Sequence, residues 1–443
     1  MTAYERMRKE ELRGERERVQ AVYDALKARG LRLDMSRGKP GKEQLDLSVP
    51  MLSVLQTPED CFCDGIDVRN YGMLTGLPSA KKLFAALLGC EPEQCLIGGN
   101  ASLQLMYDLI AKAYTHGLLH SVRPWAQERQ IKWLCPAPGY DRHFAISQSF
   151  GMQLLAVPML PTGPDMDRVE ALVQDPDVRG IWCVPKYSNP DGIVYSEETV
   201  LRIASLRPAA PDFTVMWDNA YCVHAFDGPC AEIPEILSLS AAAGNPDMVC
   251  EFASTSKITL PGAGISVLAT SAENLHYLET LLFVQVISFD KVNQLRHVRF
   301  LQDRAHTLAL MERHAALLRP KFRCVLDALE RELAPLGLAA WQTPRGGYFV
   351  SVNVLPGLAK RIHALCRAAG VTLTAAGATY PYGLDPNDSN LRIAPSLPPL
   401  CELETAMDVF CTAVKLAALE RLIPQQKSAT TDAFENPNCR CHG

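Results

Sequence analysis

Short apolar runs alternate with helical segments along most of this 443-residue chain, and no other feature limits its fold as strongly. Apolar runs of about four to seven residues are typical of strands that are buried on both faces. Their alternation with amphipathic helices predicts an α/β fold, in which helices cover both sides of a mixed, mainly parallel sheet. The strand candidates are residues 132–135, 153–159, 180–185, 213–219, 248–254 and 264–270.

The pattern changes after about residue 335, where the strand and helix candidates form a smaller α+β unit. We therefore predict a large domain over residues 51–320 and a small C-terminal domain over residues 321–423. An N-terminal helix and arm, residues 1–50, would pack with the small domain. The last segment, residues 424–443, has no hydrophobic periodicity and is expected to be disordered.

Local signals predict where several helices begin and end. Residues 4–29 have the pattern of one charged helix, and a second helix would run from Pro78 to a stop at Gly89. Asp141 and Ser196 stand where they would cap the helices that follow them. Pro320 falls inside a long helical segment, which it would kink or end.

Charge and cysteine content narrow the range of partners and compartments. The net charge is −5, so no basic surface for nucleic acid or anionic lipid is expected. No long apolar run and no signal-like apolar segment occur, so we expect no membrane association. The 15 cysteines have no regular spacing, which predicts reduced thiols in a cytoplasmic protein. Cys61/Cys63 and Cys439/Cys441 resemble metal pairs but lack the C-x-x-C spacing; buried or tail thiols are the alternative, and no metal is expected.

Chemically functional side chains stand at the predicted strand ends. Lys257 directly follows the strand candidate 248–254 and precedes a Gly-rich turn at residues 261–264. A lysine in such a place is usually a surface residue, but a desolvated lysine has a lowered pKa and can attack a carbonyl as a Schiff-base lysine. The residues at the other strand ends favour the second interpretation.

Asp218 lies at the end of one strand candidate, and Asn189 and Tyr140 follow two others. Residues 98–102 open a helix, whose free amides suit a phosphate. Because the carboxyl ends of parallel strands share one edge of the sheet, where ligands bind, these groups would converge with Lys257. Together they suit a phosphorylated pyridine aldehyde.

Nine motifs, in order from about residue 35 to residue 396, make the chain resemble a known family. It is similar to the fold-type I, class I/II aminotransferases that depend on pyridoxal 5′-phosphate, and within them to the bacterial aspartate aminotransferase subgroup Ic. The resemblance implies the two-domain fold of PLP-dependent transferases. The motifs are MSRGKPGKEQLDLS, RNYGMLTGLPSAKKLFA, GGNASL, PAPGYDRHF, VPKYSNPDGIVYS, DNAYCVHAF, STSKITLPGAGIS, PRGGYFVSV and LRIAPS.

The resemblance implies a role for each group around the pyridine ring. Lys257 would form the Schiff base and then move a proton between substrate and cofactor, and Asp218 would pair with the pyridinium nitrogen. His143 would hydrogen-bond Asp218, although a buried core histidine is the alternative. The 3′-oxygen of the ring would accept hydrogen bonds from Asn189 and Tyr221. Lys257, Asp218 and Tyr221 are thereby implied as catalytic.

The resemblance also implies which residues contact the ring face and the phosphate, and that a second subunit contributes to the site. Tyr140 would stack on the ring, unless it is an ordinary core aromatic. Tyr71 matches a tyrosine that reaches the phosphate of the neighbouring subunit, which implies a homodimer with shared active sites. Most class I enzymes have an arginine eight residues after the lysine; here Ile265 stands there, so Lys186 or a partner residue would have to neutralise the phosphate. The implied phosphate-binding residues are Asn100, Ala101, Ser102 and Ser254.

Two residues are implied for the substrate, an amino acid or a 2-oxo acid. Arg392 would hold the α-carboxylate through two parallel hydrogen bonds. Gly38 would bring the backbone beside that carboxylate, an ordinary turn being the alternative. A dicarboxylic substrate needs a second cation, and the candidates are Arg37, Arg142 and Arg345.

The implied reaction is amino transfer from L-aspartate to 2-oxoglutarate by a ping-pong mechanism, which yields oxaloacetate and L-glutamate. Amino transfer from another donor stays open, as does a β-lyase or decarboxylase reaction on the same cofactor. A ligand-sensing domain would need a DNA-binding domain, for which residues 1–35 are too short. The family bends its loops at this edge through cis peptide bonds, which we expect at Ala137-Pro138 and Asn189-Pro190.

Overall fold

A computed structural model of the chain describes residues 2–423, and an eight-stranded sheet, the large sheet, lies at the centre of this part. Strand Ser266–Ala269 runs antiparallel to both of its neighbours, the central strands are parallel, and the last strand turns back in a short hairpin. The predicted α/β fold with a mixed, mainly parallel sheet is therefore confirmed. In spatial order the strands are Cys95–Gly98, Ser266–Ala269, Val249–Ser254, Thr214–Asp218, Val178–Cys183, Lys132–Ala137, Gln153–Leu160 and Gly163–Pro164.

Helices cover both faces of the large sheet, because its strands bury side chains on both sides. In strand Thr214–Asp218, Val215 and Trp217 join the core on one face, and Met216 joins the core on the other. Alternate side chains of a strand point to opposite faces, so a continuous apolar run supplies both cores. The helices of this unit are Pro78–Leu88, Ser102–Thr115, Asp141–Ser149, Met166–Leu172, Glu197–Ala204, Ile236–Ala242, Ala272–Leu282 and Lys291–Leu301, while Lys42–Asp46 contacts the later helix Arg304–Glu332.

A second unit is built on a three-stranded antiparallel sheet, the small sheet. The N-terminal helix Lys9–Ala28 packs against the last helix of this unit, and Leu33–Asp34 pairs in parallel with Val371–Thr372. These contacts place the N-terminal segment against the second unit. The strands of the small sheet are Ala339–Trp341, Val350–Val354 and Asn390–Ile393, and the helices around it are Arg304–Glu332, Ala359–Ala368 and Leu400–Leu422.

Most of the predicted helix ends are confirmed, and one is wrong. Pro78 is the first residue of its helix, and Gly89 follows that helix at a φ of 86°, a left-handed conformation that glycine adopts without strain. Ser196 caps its helix by accepting a hydrogen bond from the Thr199 amide at 3.2 Å. Asp141 does not cap its helix; it is the first helical residue, and its carboxylate accepts a hydrogen bond from the buried Arg392 instead.

Two further predictions about helices need correction. The predicted single helix over residues 4–29 is a short 3₁₀ turn, Tyr4–Arg6, followed by the helix Lys9–Ala28. Of the two effects predicted for Pro320, ending the helix is wrong, since Arg304–Glu332 continues through it, and the kink stays a prediction. The proposed boundary between the two domains after residue 320 falls inside this helix, and the domain limits stay a prediction. Residues 424–443, the expected disordered tail, lie outside the described residues, as do Cys439 and Cys441.

Two negative findings hold for residues 2–423. No helix there has the length and apolarity that crossing a bilayer requires. No group of three or more His, Cys, Asp or Glu side chains there is placed to hold a metal ion, and Cys61 and Cys63 are free thiols.

Candidate active site

A cavity of about 560 Å³ lies where the carboxyl ends of the central strands face the N-terminal arm and the small sheet. Strand Thr214–Asp218 ends at this cavity in Asp218, and strand Val249–Ser254 leads directly into the turn that contains Lys257. Both peptide bonds that were expected to be cis, Ala137-Pro138 and Asn189-Pro190, are cis. The predicted site residues that line the cavity are Gly38, Ala101, Ser102, Tyr140, Asn189, Asp218, Tyr221, Ser254, Lys257 and Arg392.

Asp218 presents a buried oxygen to the cavity. One carboxylate oxygen, Oδ2, lies 3.0 Å from His143 Nε2, and the imidazole stacks on Trp182 with the ring centroids 4.4 Å apart. The other oxygen, Oδ1, is buried and has no hydrogen-bond partner among the described residues. Because an unpaired buried carboxylate oxygen is costly, it is suited to accept a hydrogen bond from a cationic N–H inside the cavity.

Lys257 is half-buried beside this carboxylate. Its Nζ lies 4.8 Å from the centroid of the Tyr221 ring. Burial lowers the pKa of the ammonium group, and the negative charge of Asp218 opposes part of that effect. A lowered pKa increases the fraction of neutral amine, which is the form that attacks a carbonyl.

The predicted phosphate cradle is the start of helix Ser102–Thr115, where Ala101 is the N-cap residue. The first amides of a helix are free to bind an anion. The Asn100 side chain is held within the protein, because its Nδ2 donates to the Pro261 carbonyl at 2.7 Å. Ser256, which the motifs did not single out, also lines the cavity beside Ser254.

Neither Ile265, which stands at the position of the phosphate arginine, nor Lys186, the candidate within this chain to replace it, lines the cavity. Ile265 is buried in the core of the large sheet, and its amide donates to Thr255 Oγ1 at 3.0 Å. Lys186 donates to the Cys222 carbonyl at 3.3 Å and does not line the cavity.

Tyr71 is 78% exposed and does not line the cavity of its own chain. Three exposed apolar side chains, Phe283, Val284 and Ile287, lie in another surface segment of the large unit. A tyrosine in this position can contribute to a site only if that site belongs to another subunit. Its role therefore stays a prediction.

Arg392 lies on a strand of the small sheet, and its side chain reaches residues at the edge of the large sheet. Its Nη1 donates to Asn189 Oδ1 at 3.0 Å and to Asp141 Oδ1 at 3.1 Å. Its Nε and Nη2 donate to Thr374 Oγ1 at 3.3 and 3.1 Å, and its guanidinium lies 4.6 Å from the centroid of the Phe349 ring. Because Asn189 accepts through its oxygen, its amide nitrogen is left to donate.

Gly38 lies where only a glycine fits without movement. A Cβ on this residue would come within 2.5 Å of the Phe349 ring, against which Arg392 is packed. The N-terminal arm therefore packs against Phe349, the ring on which the Arg392 guanidinium lies. The sequence motifs did not point to Phe349, Thr374 or Asp141 as partners of Arg392, since these contacts exist only once the two units pack together.

The three arginines considered for a second carboxylate differ in position. Arg37 and Arg142 line the mouth of the cavity, and neither guanidinium has a hydrogen-bond or ion-pair partner among residues 2–423. Arg345 does not line the cavity, and its Nε donates to the Asp227 carbonyl at 3.4 Å. A third cation, Lys39, also lines the mouth.

Comparison with known proteins assigns a family to this architecture. The family model described as "Aspartate amino-transferase" matches residues 7–426. An aspartate aminotransferase of Corynebacterium glutamicum is 47% identical over 404 residues, which cover 91% of this chain and 94% of that protein.

Solved structures agree with this match. The crystal structure of an aspartate transaminase from Corynebacterium glutamicum superposes with a TM-score of 0.92 at 46% identity, over 95% of this chain and 99% of that one. An α-aminoadipate aminotransferase from Thermus thermophilus, solved in complex with N-(5′-phosphopyridoxyl)-L-leucine, superposes with a TM-score of 0.70 at 21% identity. That alignment covers 90% of this chain and 96% of the other, and it shows that the fold is shared.

Proposed function

This chain belongs to the aspartate amino-transferase family, and from that premise we propose that it transfers the amino group of L-aspartate to 2-oxoglutarate in a ping-pong reaction. The products are oxaloacetate and L-glutamate. One observation carries the proposal: a single cavity combines a desolvated lysine, a buried carboxylate with an unpaired oxygen and a buried guanidinium. These are the groups that amino transfer requires from the protein.

The residues of the cavity fit pyridoxal 5′-phosphate. The unpaired Oδ1 of Asp218 suits its protonated ring nitrogen, Lys257 suits its aldehyde, and the free amides at Ser102 suit its phosphate. The Asn189 amide and the Tyr221 hydroxyl are available to its ring oxygen, and Tyr140 to its ring face. When bound, this cofactor supplies an electron sink for the negative charge that develops at the substrate Cα.

The chain's own residues then act on protons and charges. Lys257, as a neutral amine, would take the proton from the substrate Cα and pass it on to the cofactor, because its lowered pKa leaves a larger fraction of the amine unprotonated and able to accept a proton. His143 holds the Asp218 carboxylate in place through Oδ2. Arg392 binds the α-carboxylate, and its burial strengthens this interaction by excluding water.

Arg142 at the cavity mouth is the residue that we propose for the second carboxylate. Replacing it, as Arg142→Ala, should raise KM for both aspartate and 2-oxoglutarate by about tenfold, since one charge-assisted hydrogen bond is lost. KM for alanine, which has one carboxylate, should stay the same. The measurement is a steady-state panel of donors and acceptors.

Arg345→Ala is the matched control, because Arg345 lies outside the cavity, and it should leave every KM unchanged. Arg37→Ala tests the other partnerless guanidinium at the mouth. If Arg142→Ala leaves KM for aspartate unchanged and Arg37→Ala raises it, the second carboxylate belongs to Arg37.

The reaction itself is tested with the purified protein loaded with pyridoxal 5′-phosphate. Incubation with aspartate and 2-oxoglutarate should produce glutamate and oxaloacetate in equal amounts. Failure to form glutamate would contradict the proposal. Release of pyruvate and ammonia from an amino acid without an acceptor would favour the lyase alternative, and a faster reaction with another donor would change the assigned substrate.

We further propose that the active form is a homodimer in which Tyr71 completes the partner's site. Subunits carrying Tyr71→Ala, mixed with subunits carrying Lys257→Ala, should form hybrids with one site built entirely from native residues. After subunit exchange, the mixture should regain about a quarter of the native activity, although each parent is impaired. Activity equal to the average of the parents would mean that Tyr71 serves no neighbouring site.

A further inference from the structure

The guanidinium of Arg392 has few donors left for a substrate. An arginine has five N–H donors, and a carboxylate bound side-on uses two of them in parallel. Four hydrogen bonds already run from Arg392 to Asp141, Asn189 and Thr374. One N–H remains, so a substrate carboxylate that binds through two hydrogen bonds has to replace at least one of these partners.

Asp141 differs from the other two partners in its charge. Asn189 and Thr374 are neutral, whereas the Asp141 carboxylate forms an ion pair with Arg392 at 3.1 Å. The Arg392 side chain is only 7% exposed, and a buried cation is stable only with a counter-charge nearby. A substrate carboxylate at the same guanidinium would therefore meet a second anion.

The Asp141 carboxylate can also be stabilised away from Arg392. Its side chain is 34% exposed, and it is the first residue of helix Asp141–Ser149, where the helix dipole stabilises a negative charge. The carboxylate can thus leave Arg392 without losing all of its electrostatic stabilisation.

We propose that Asp141 is a positioning residue that neutralises and holds Arg392 between substrates, and that the α-carboxylate of each incoming substrate displaces it. The inference rests on the proposed function, which assigns Arg392 to that carboxylate. Asp141 then lowers the affinity for every carboxylate that binds there, and it keeps the guanidinium in place when no substrate neutralises it.

Asp141→Asn tests this competition, because asparagine keeps the shape of the side chain and removes its charge. The dissociation constant of succinate, a dicarboxylate that has no group to react, should fall about tenfold on the protein loaded with pyridoxal 5′-phosphate. KM for aspartate and for 2-oxoglutarate should fall with it, while kcat changes less. Isothermal calorimetry gives the dissociation constant independently of turnover.

Two further variants make the result specific. Asp141→Ala removes both oxygens and should also tighten succinate binding, whereas Glu198→Gln, an equal change of charge at an exposed distant position, should not. Unchanged or weaker succinate binding in both Asp141 variants, with the native protein binding normally, would overturn this inference and leave the proposed function standing. If the native protein itself fails to bind succinate, the proposed function fails and the inference falls with it.

Discussion

Replacing Lys257 with alanine should abolish amino transfer, with kcat falling by more than about 10⁴-fold. The change removes a cavity-lining amine whose pKa burial lowers, and with it the base that moves the proton at the substrate Cα. Steady-state assays with aspartate and 2-oxoglutarate measure the loss. In the native protein, borohydride reduction after loading with pyridoxal 5′-phosphate should leave a pyridoxyl group on the peptide that contains Lys257.

Lys81 provides the matched control for this experiment. Burial lowers the pKa of Lys81 as well, but the residue lies in helix Pro78–Leu88 and does not line the cavity. Lys81→Ala should keep both the activity and the borohydride label. A label that appears on any lysine other than Lys257, or activity that survives Lys257→Ala, would remove Lys257 from the mechanism.

Replacing Asp218 with asparagine should lower kcat by about 10³-fold, the size of effect seen when a buried electrostatic partner of a reacting group is lost. The side chain keeps its shape and loses the charge that would hold the ring nitrogen protonated. The affinity for pyridoxal 5′-phosphate should also fall, because one buried ion pair with the cofactor is lost. Equilibrium dialysis of the cofactor and steady-state kinetics measure the two effects.

Glu251→Gln is the control, because it makes the same carboxyl-to-amide substitution at a buried position whose charge the reaction does not use. Glu251 is buried on the neighbouring strand, it accepts a hydrogen bond from Asn219 at 2.8 Å, and burial raises its pKa to about 8. Since this carboxyl is mostly protonated at pH 7, Glu251→Gln exchanges one neutral group for another and should change kcat by less than about threefold. Equal losses in the two variants would attribute the Asp218 effect to folding rather than to charge.

Predictions from the sequence succeeded where the signal was local. Apolar runs identified six of the eight strands of the large sheet, but not Cys95–Gly98 and Gly163–Pro164. Pro78, Gly89 and Ser196 marked helix ends because their conformational preferences and side-chain hydrogen bonds act within a few residues. Lys257 and Asp218 could be placed at one cavity because parallel strands bring their carboxyl ends to a common edge.

The interaction that Asp141 makes could not be predicted from its local sequence. Its position at the start of a helix predicts a cap, which is the best interaction available to it within its own segment. In the folded protein it pairs instead with Arg392, 251 residues away, because a buried cation attracts an anion more strongly than free amides do. Similarly, only the fold could place Arg142 at the cavity mouth and Arg345 outside it.

The amino-acid sequence by itself therefore determined most of the strands and helices and the edge of the sheet where the chemistry lies, since these follow from periodicity and backbone preference over short distances. Only the tertiary structure decided which side chains hold Arg392 and which cations face the substrate. Those contacts form between the large and small units, and they depend on distances of a few tenths of an ångström that no local pattern encodes.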